Sequence, residues 1–165
     1  LNRYPLEFVC IHPRLGSQMY EGTVNLEIMQ ACVSILNHRI IYSGDIKSAQ
    51  DIVRLSELFP TINDWMIGRQ LIVNPFLPEE IKLNKKENKT VKRVRFLAFH
   101  EALTQNLSSE VTQEQSALNK LKEYWTYFSQ NQGISLEEKH ALLRCNEIEE
   151  FRKKAEKMVL KIDFE

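Results

Sequence analysis

The chain has 165 residues, 43% hydrophobic and 27% charged, which excludes a disordered chain and suits one ordinary domain or two small ones. Lysine and arginine (22) balance aspartate and glutamate (22), yet residues 82–95, KLNKKENKTVKRVR, hold seven cations and one Glu, so a basic stretch that suits an anionic partner faces an acidic remainder. No apolar run approaches the ~20 residues of a membrane-spanning helix, and the scattered Cys10, Cys32 and Cys145 argue against a disulfide framework or a structural zinc site, so each is expected to be a small buried hydrophobe in a reducing compartment.

Residues 6–82 alternate β-branched runs with helical stretches. A first strand is expected over 6–12. Residues 25–37, NLEIMQACVSILN, place Leu26, Met29, Val33 and Leu36 on one helical stripe. RIIY at 39–42 reads as a second strand. The stretch 48–59 reads as a helix capped by Ser48, with Ile52, Leu55 and Phe59 on its apolar face. DWMI at 64–67 is a third strand. This βαβαβ order implies parallel strands joined by helical crossovers. Residues 83–90 lack periodicity and are expected to be a linker. Three apolar stripes follow: Phe96, Phe99, Leu103 and Leu107; Leu118, Leu121, Trp125 and Phe128; Ile148, Phe151, Ala155 and Met158. Capping-box patterns at Thr112/Gln115 and Ser135/Glu138, with a weaker Asn146/Glu149 variant, mark helix starts, and Gly133 stops the middle helix. Trp125, Tyr124 and Tyr127 read as core. His100 is expected to be packed, and His38 and His140 to lie at the surface.

Ligands of parallel α/β structures bind at the carboxyl ends of the strands. Here the three ends read IHPRLGSQMYEG, IIYSGDI and WMIGRQ, each with glycine or hydrogen-bonding residues. Gly44 and Gly68 would let backbone amides approach a phosphate, and Arg69 adds a planar donor fork.

His12, Arg14, Gln18, Tyr20 and Gly22 in HPRLGSQMYEG resemble the H-x-R-x-x-x-Q-x-Y-x-G motif of tRNA-dihydrouridine synthases. IIYSGDI resembles the family's strand end (I/V)-x-x-N-G-D-I, and WMIGRQLIVNPFL its M-I-G-R-G-x-x-x-N-P motif. The order agrees over nearly the whole chain, and the tail with FHEAL and KLKEYW resembles the family's helical domain. The resemblance implies an α/β then all-α architecture: the last three β/α units of an eight-stranded TIM barrel over 1–83, then a helical tRNA-binding bundle over 84–165. It implies FMN as cofactor, NADPH as reductant, tRNA as substrate and a cytoplasmic location. It assigns His12, Ser43, Gly44, Asp45, Gly68 and Arg69 to FMN, and Arg14, Gln18 and Tyr20 to the uridine or nearby RNA. Lys92, Arg93 and Arg95 become the candidate RNA-backbone contacts.

Two positions depart from the pattern. Ser43 stands where the family has Asn, and Gln70 where it has a second glycine. If that second position needs positive φ, Gln costs about 1–2 kcal/mol there. The family's catalytic cysteine and flavin-contacting lysine have no counterpart here, and Cys10 does not match the catalytic motif. No catalytic residue is therefore assigned. With Leu1-Asn2-Arg3 at its start and three strands of a barrel's eight, the chain is expected to be the C-terminal half of such an enzyme, inactive alone. Its strand edges and open apolar face are expected to meet the missing half or a second copy. Two alternatives stand beside this: a stand-alone RNA-binding helical module, and another half-barrel protein that binds FMN or a phosphate.

Overall fold

Asn25 and Ser48 start the two crossover helices of the first unit in the way their side chains dictate. In the computed structural model, which describes residues 1–19, 21–110 and 113–164, the Asn25 side chain accepts from the Ile28 amide at the head of α1 (Leu26–Ile35). Ser48 and Asp51 form a reciprocal capping box at the head of α2 (Ala49–Leu58). These helices connect β1 (Phe8–Ile11), β2 (Arg39–Ser43) and β3 (Asp64–Met66). All pairs are parallel, in the order β1-β2-β3, with Val9 opposite Ile40, and Ile11 opposite Tyr42 opposite Trp65. The expected βαβαβ unit is present, with β1 shorter than the expected 6–12, so His12 lies just beyond its end.

Period-two alternation gives this sheet two faces. Ile11, Ile40, Tyr42 and Trp65 pack with Met29, Leu55 and Phe59 of the helical layer. The opposite face carries Phe8, Cys10, Ile41 and Met66 together with Ser43 and the ion-paired Arg39 and Asp64; Phe8, Cys10 and Met66 are exposed. Cys10 thus departs from the expected buried position, and its thiol meets the Met66 sulfur at 3.8 Å. His38 is half-buried rather than superficial, with Nε2 2.9 Å from the Tyr4 carbonyl oxygen.

The chain divides into two compact units, residues 1–71 and 72–165. The division falls inside the short helix α3 (Arg69–Val73), some way before the linker expected at 83–90. Within that stretch residues 84–88 carry neither helix nor strand, as expected, and short helices precede it. Asn74 Oδ1 accepts from the Phe76 amide at 3.1 Å, an Asx turn that launches α4 (Leu77–Leu83) with Pro78 in its first turn. α5 (Lys89–Glu110) begins within the expected linker.

The second unit is a helical bundle of α5, α6 (Glu114–Phe128), α7 (Leu136–Leu143) and α8 (Ile148–Val159). The stripes expected for α6 and α8 are buried as read. The stripe of α5 is the expected one in part: Phe96 and Leu107 are buried and Leu103 packs against the core, but Lys92, His100 and Thr104 also face inward and Phe99 is 43% exposed. Ser135 and Glu138 form the expected capping box at α7. At α8 the cap position is Glu147, without a side-chain cap, rather than Asn146. Thr112, expected to cap α6, lies outside the described residues. Gly133 sits past the end of α6 at φ +92°, where a Cβ would stand 2.0 Å from the Lys161 carbonyl oxygen, so close backbone packing at a left-handed position demands glycine there.

Candidate functional site

The carboxyl ends of β1 and β2 are stitched together by two side chains from the first loop. His12 Nδ1 lies 2.6 Å from the Ser43 carbonyl oxygen. A carbonyl only accepts, so Nδ1 carries the proton in this contact. Arg14 Nη2 donates to Asp45 Oδ2 at 2.6 Å and to the Gly22 carbonyl oxygen at 3.0 Å. The Arg14 side chain is 4% exposed and that of Asp45 30%. Arg14 therefore ties the loop after β1 to the loop after β2 by a charge-assisted bond from a nearly buried guanidinium. Its Nε and Nη1 are buried without a partner among the described residues, a costly arrangement for a guanidinium.

Gln18 does not present its amide outward. Its Oε1 accepts from the Leu15 amide at 2.9 Å, and its Nε2 lies 3.4 Å from the carbonyl oxygens of Glu21 and Thr23. The side chain is thus the internal brace of residues 15–23, beside Met19 at φ +52°. Tyr20, the remaining residue of this motif, lies outside the described residues.

Ser43 ends β2, and Gly44 and Asp45 follow it. Gly44 has a local reason to be glycine: a Cβ there would stand 2.4 Å from the Tyr42 hydroxyl. Burial raises the pKa of that hydroxyl above the ordinary tyrosine value, helped by the charge of Asp45. Gly68 is different. Among the described residues nothing lies within 4 Å of where its Cβ would be, and its φ is not positive, so the position borders open space. Arg69, exposed, follows it at the start of α3. Gln70 sits in α3 without positive φ, so the strain expected for a glycine replacement is absent.

The basic run behaves differently from its sequence. Lys92 is buried, its ammonium paired with Glu80 of α4 and 3.0 Å from the Phe164 carbonyl oxygen. A group 1% exposed does not reach a phosphate, so its assignment to RNA is corrected to a core ion pair. Arg93 Nε donates to the Ile162 carbonyl oxygen at 3.1 Å. Arg95 lies between Glu79 (2.7 Å) and Glu87 (2.6 Å), its guanidinium 5.1 Å from the Phe76 ring centre. These two carboxylates hold its pKa above the ordinary arginine value.

His12, Arg14, Ser43 and Asp45 are thus joined in one hydrogen-bonded group at the strand ends, while Lys92, Arg93 and Arg95 are engaged within the bundle. Sequence reasoning missed Arg14 as a clamp, although a basic and an acidic residue at neighbouring strand ends were its signal.

A family model described as Dihydrouridine synthase (Dus) matches residues 5–163. The chain belongs to the dihydrouridine synthase family. Members of this family act on tRNA and are in general flavin-dependent. The match runs through all three strand-end motifs and the helical bundle. No helix among the described residues is long and apolar enough to cross a membrane.

Proposed function

We propose that this dihydrouridine synthase-family chain forms part of a cytoplasmic enzyme that reduces uridine to 5,6-dihydrouridine in tRNA, with FMN as cofactor and NADPH as reductant. The observation that carries this is the family match over residues 5–163, with the three matched motifs falling at the carboxyl ends of successive parallel strands. Residues 1–71 supply β/α units of the barrel and residues 72–165 the tRNA-binding part.

The strand ends fit a flavin mononucleotide. Gly68 leaves open space, and Arg69 follows it with a guanidinium for a phosphate. Ser43, Gly44 and Asp45 border the same group. When bound, the flavin would supply the hydride for reduction of the uracil C5–C6 bond, which also takes a proton from an acid not assigned in this chain. The chain's own residues bind and orient. His12, anchored through Nδ1, presents Nε2; it accepts a hydrogen bond when neutral and donates one only as the imidazolium. Arg14 holds Asp45 and Gly22 in place, and Gln18 braces Leu15 against Glu21 and Thr23.

FMN titration followed by flavin fluorescence tests this. The chain is titrated alone and with the β/α units that complete the family's barrel. Tight binding with the complement, weakened at least tenfold by Arg69→Ala, is the expected result. No binding in either arm would overturn the flavin reading and leave the helical unit as an RNA-binding module.

A further inference from the structure

The cations of residues 82–95 fall into two groups once their partners are known. Lys89 pairs with Asp163, Lys92 with Glu80, and Arg95 with Glu79 and Glu87, while Arg93 donates to a backbone carbonyl. Lys82, Lys85 and Lys86 are exposed and make no ion pair among the described residues. They lie within five residues of one another, on the last turn of α4 and the turn after it. That turn is fixed: Asn84 adopts φ +48°, its amide bonds to the Glu80 and Ile81 carbonyl oxygens, and the Lys85 amide donates to Glu80 O at 3.3 Å. Glu79, Glu80 and Glu87 are the neighbouring carboxylates, and each already has its cation in Arg95 or Lys92.

An exposed cation with no carboxylate partner can replace the counterions condensed on a nucleic acid. A cation already paired gains little, because a phosphate must displace the carboxylate or sit beside it. We propose that Lys82, Lys85 and Lys86, rather than the cations of α5, form the surface of this unit that meets the sugar–phosphate backbone of RNA. This rests on the tRNA reading above and moves the RNA-facing surface from the helix to the turn before it. Phosphate contacts of this kind position the RNA and set its salt dependence without reading its sequence.

The test is the salt dependence of binding of the 165-residue chain to an unmodified tRNA transcript. In the variant carrying Lys82→Gln, Lys85→Gln and Lys86→Gln, the log–log slope should shrink by about 2–3 units, close to one for each phosphate that is no longer neutralised. Affinity should fall at least tenfold at low salt and converge with wild type at high salt. The paired control Lys89→Gln with Asp163→Asn should leave the slope unchanged. A triple variant that keeps the wild-type slope and a folded circular dichroism spectrum overturns the proposal and leaves the tRNA reading standing. A control that lowers the slope equally also overturns it. A wild-type chain that binds no tRNA overturns both. Vesicles of phosphatidylserine and phosphatidylcholine form a parallel arm; lysine-dependent capture there without tRNA binding overturns RNA as the partner.

Discussion

His100 shows how a single polar residue is accommodated in a buried stripe. It is 3% exposed, and its Nε2 accepts from the Trp125 indole N–H at 2.9 Å. Only the neutral ring can accept there, and burial pushes its pKa down from 6.5 to about 4, with Glu101 opposing and Arg152 assisting. The unfolded chain therefore takes up the proton first. The stability this histidine confers is complete above about pH 6.5 and is lost as pH falls toward 4, a difference of about 3 kcal/mol. Urea melts followed by tryptophan fluorescence from pH 7 to 4 should show this loss, and His100→Leu should flatten it while lowering stability at pH 7 through the orphaned indole N–H. A wild-type profile no steeper than that of the variant would exclude it. The packing of His100 was legible from its place beside an apolar stripe. The identity of its partner was not, because residues 100 and 125 stand on different helices and nothing in either helix's periodicity pairs them.

Between elements, the local signals that were legible are those whose physics is local. Ser48 and Ser135 cap α2 and α7 because a hydroxyl three residues before a carboxylate satisfies amides of the same turn. The parallel order of β1, β2 and β3 followed from the alternation of strand and helix. α3 and α4 were not legible, since each is short and Asn74-Pro75 reads as a break; the break is the Asx turn that starts α4. Lys92 was misread because a lysine in a basic run suggests solvent, whereas its spacing of four from Phe96 puts it on the inward face. The Glu80–Lys92 pair joins α4 to α5, with side chains 8% and 1% exposed. Removing one partner strands a buried charge, so Lys92→Met should cost about 3–5 kcal/mol in urea denaturation. Lys92→Met with Glu80→Leu should recover most of that loss, since two apolar groups replace two paired ions. A destabilisation no smaller in the double variant would show that the ion pair is not what holds these helices.

For the whole molecule, the two units differ in how completely each closes on itself. The second buries Phe96, Trp125, Phe128, Phe151 and Phe164 in one cluster, and its chain end is fastened by Lys89, Lys92 and Arg93 to residues 162–164. The first has a helical layer on one face of a three-stranded sheet and an exposed Phe8, Cys10 and Met66 on the other, with unpaired edges at β1 and β3 among the described residues. Strand edges and an uncovered, partly apolar face favour association over an independent fold. Residues 72–165 expressed alone should therefore give a helical circular dichroism spectrum and a single cooperative thermal transition. Residues 1–71 alone should aggregate or self-associate in sedimentation velocity until further strands that continue the sheet are supplied. The cut at 71/72 interrupts only α3, and Val73, whose carbonyl accepts from Asn131 at 2.6 Å, stays with the bundle. If residues 72–165 melted without cooperativity, the core of the bundle would depend on the first unit. If residues 1–71 ran as a stable monomer, the open face would need no cover, and the case for a sheet built to continue into a barrel would fall with it.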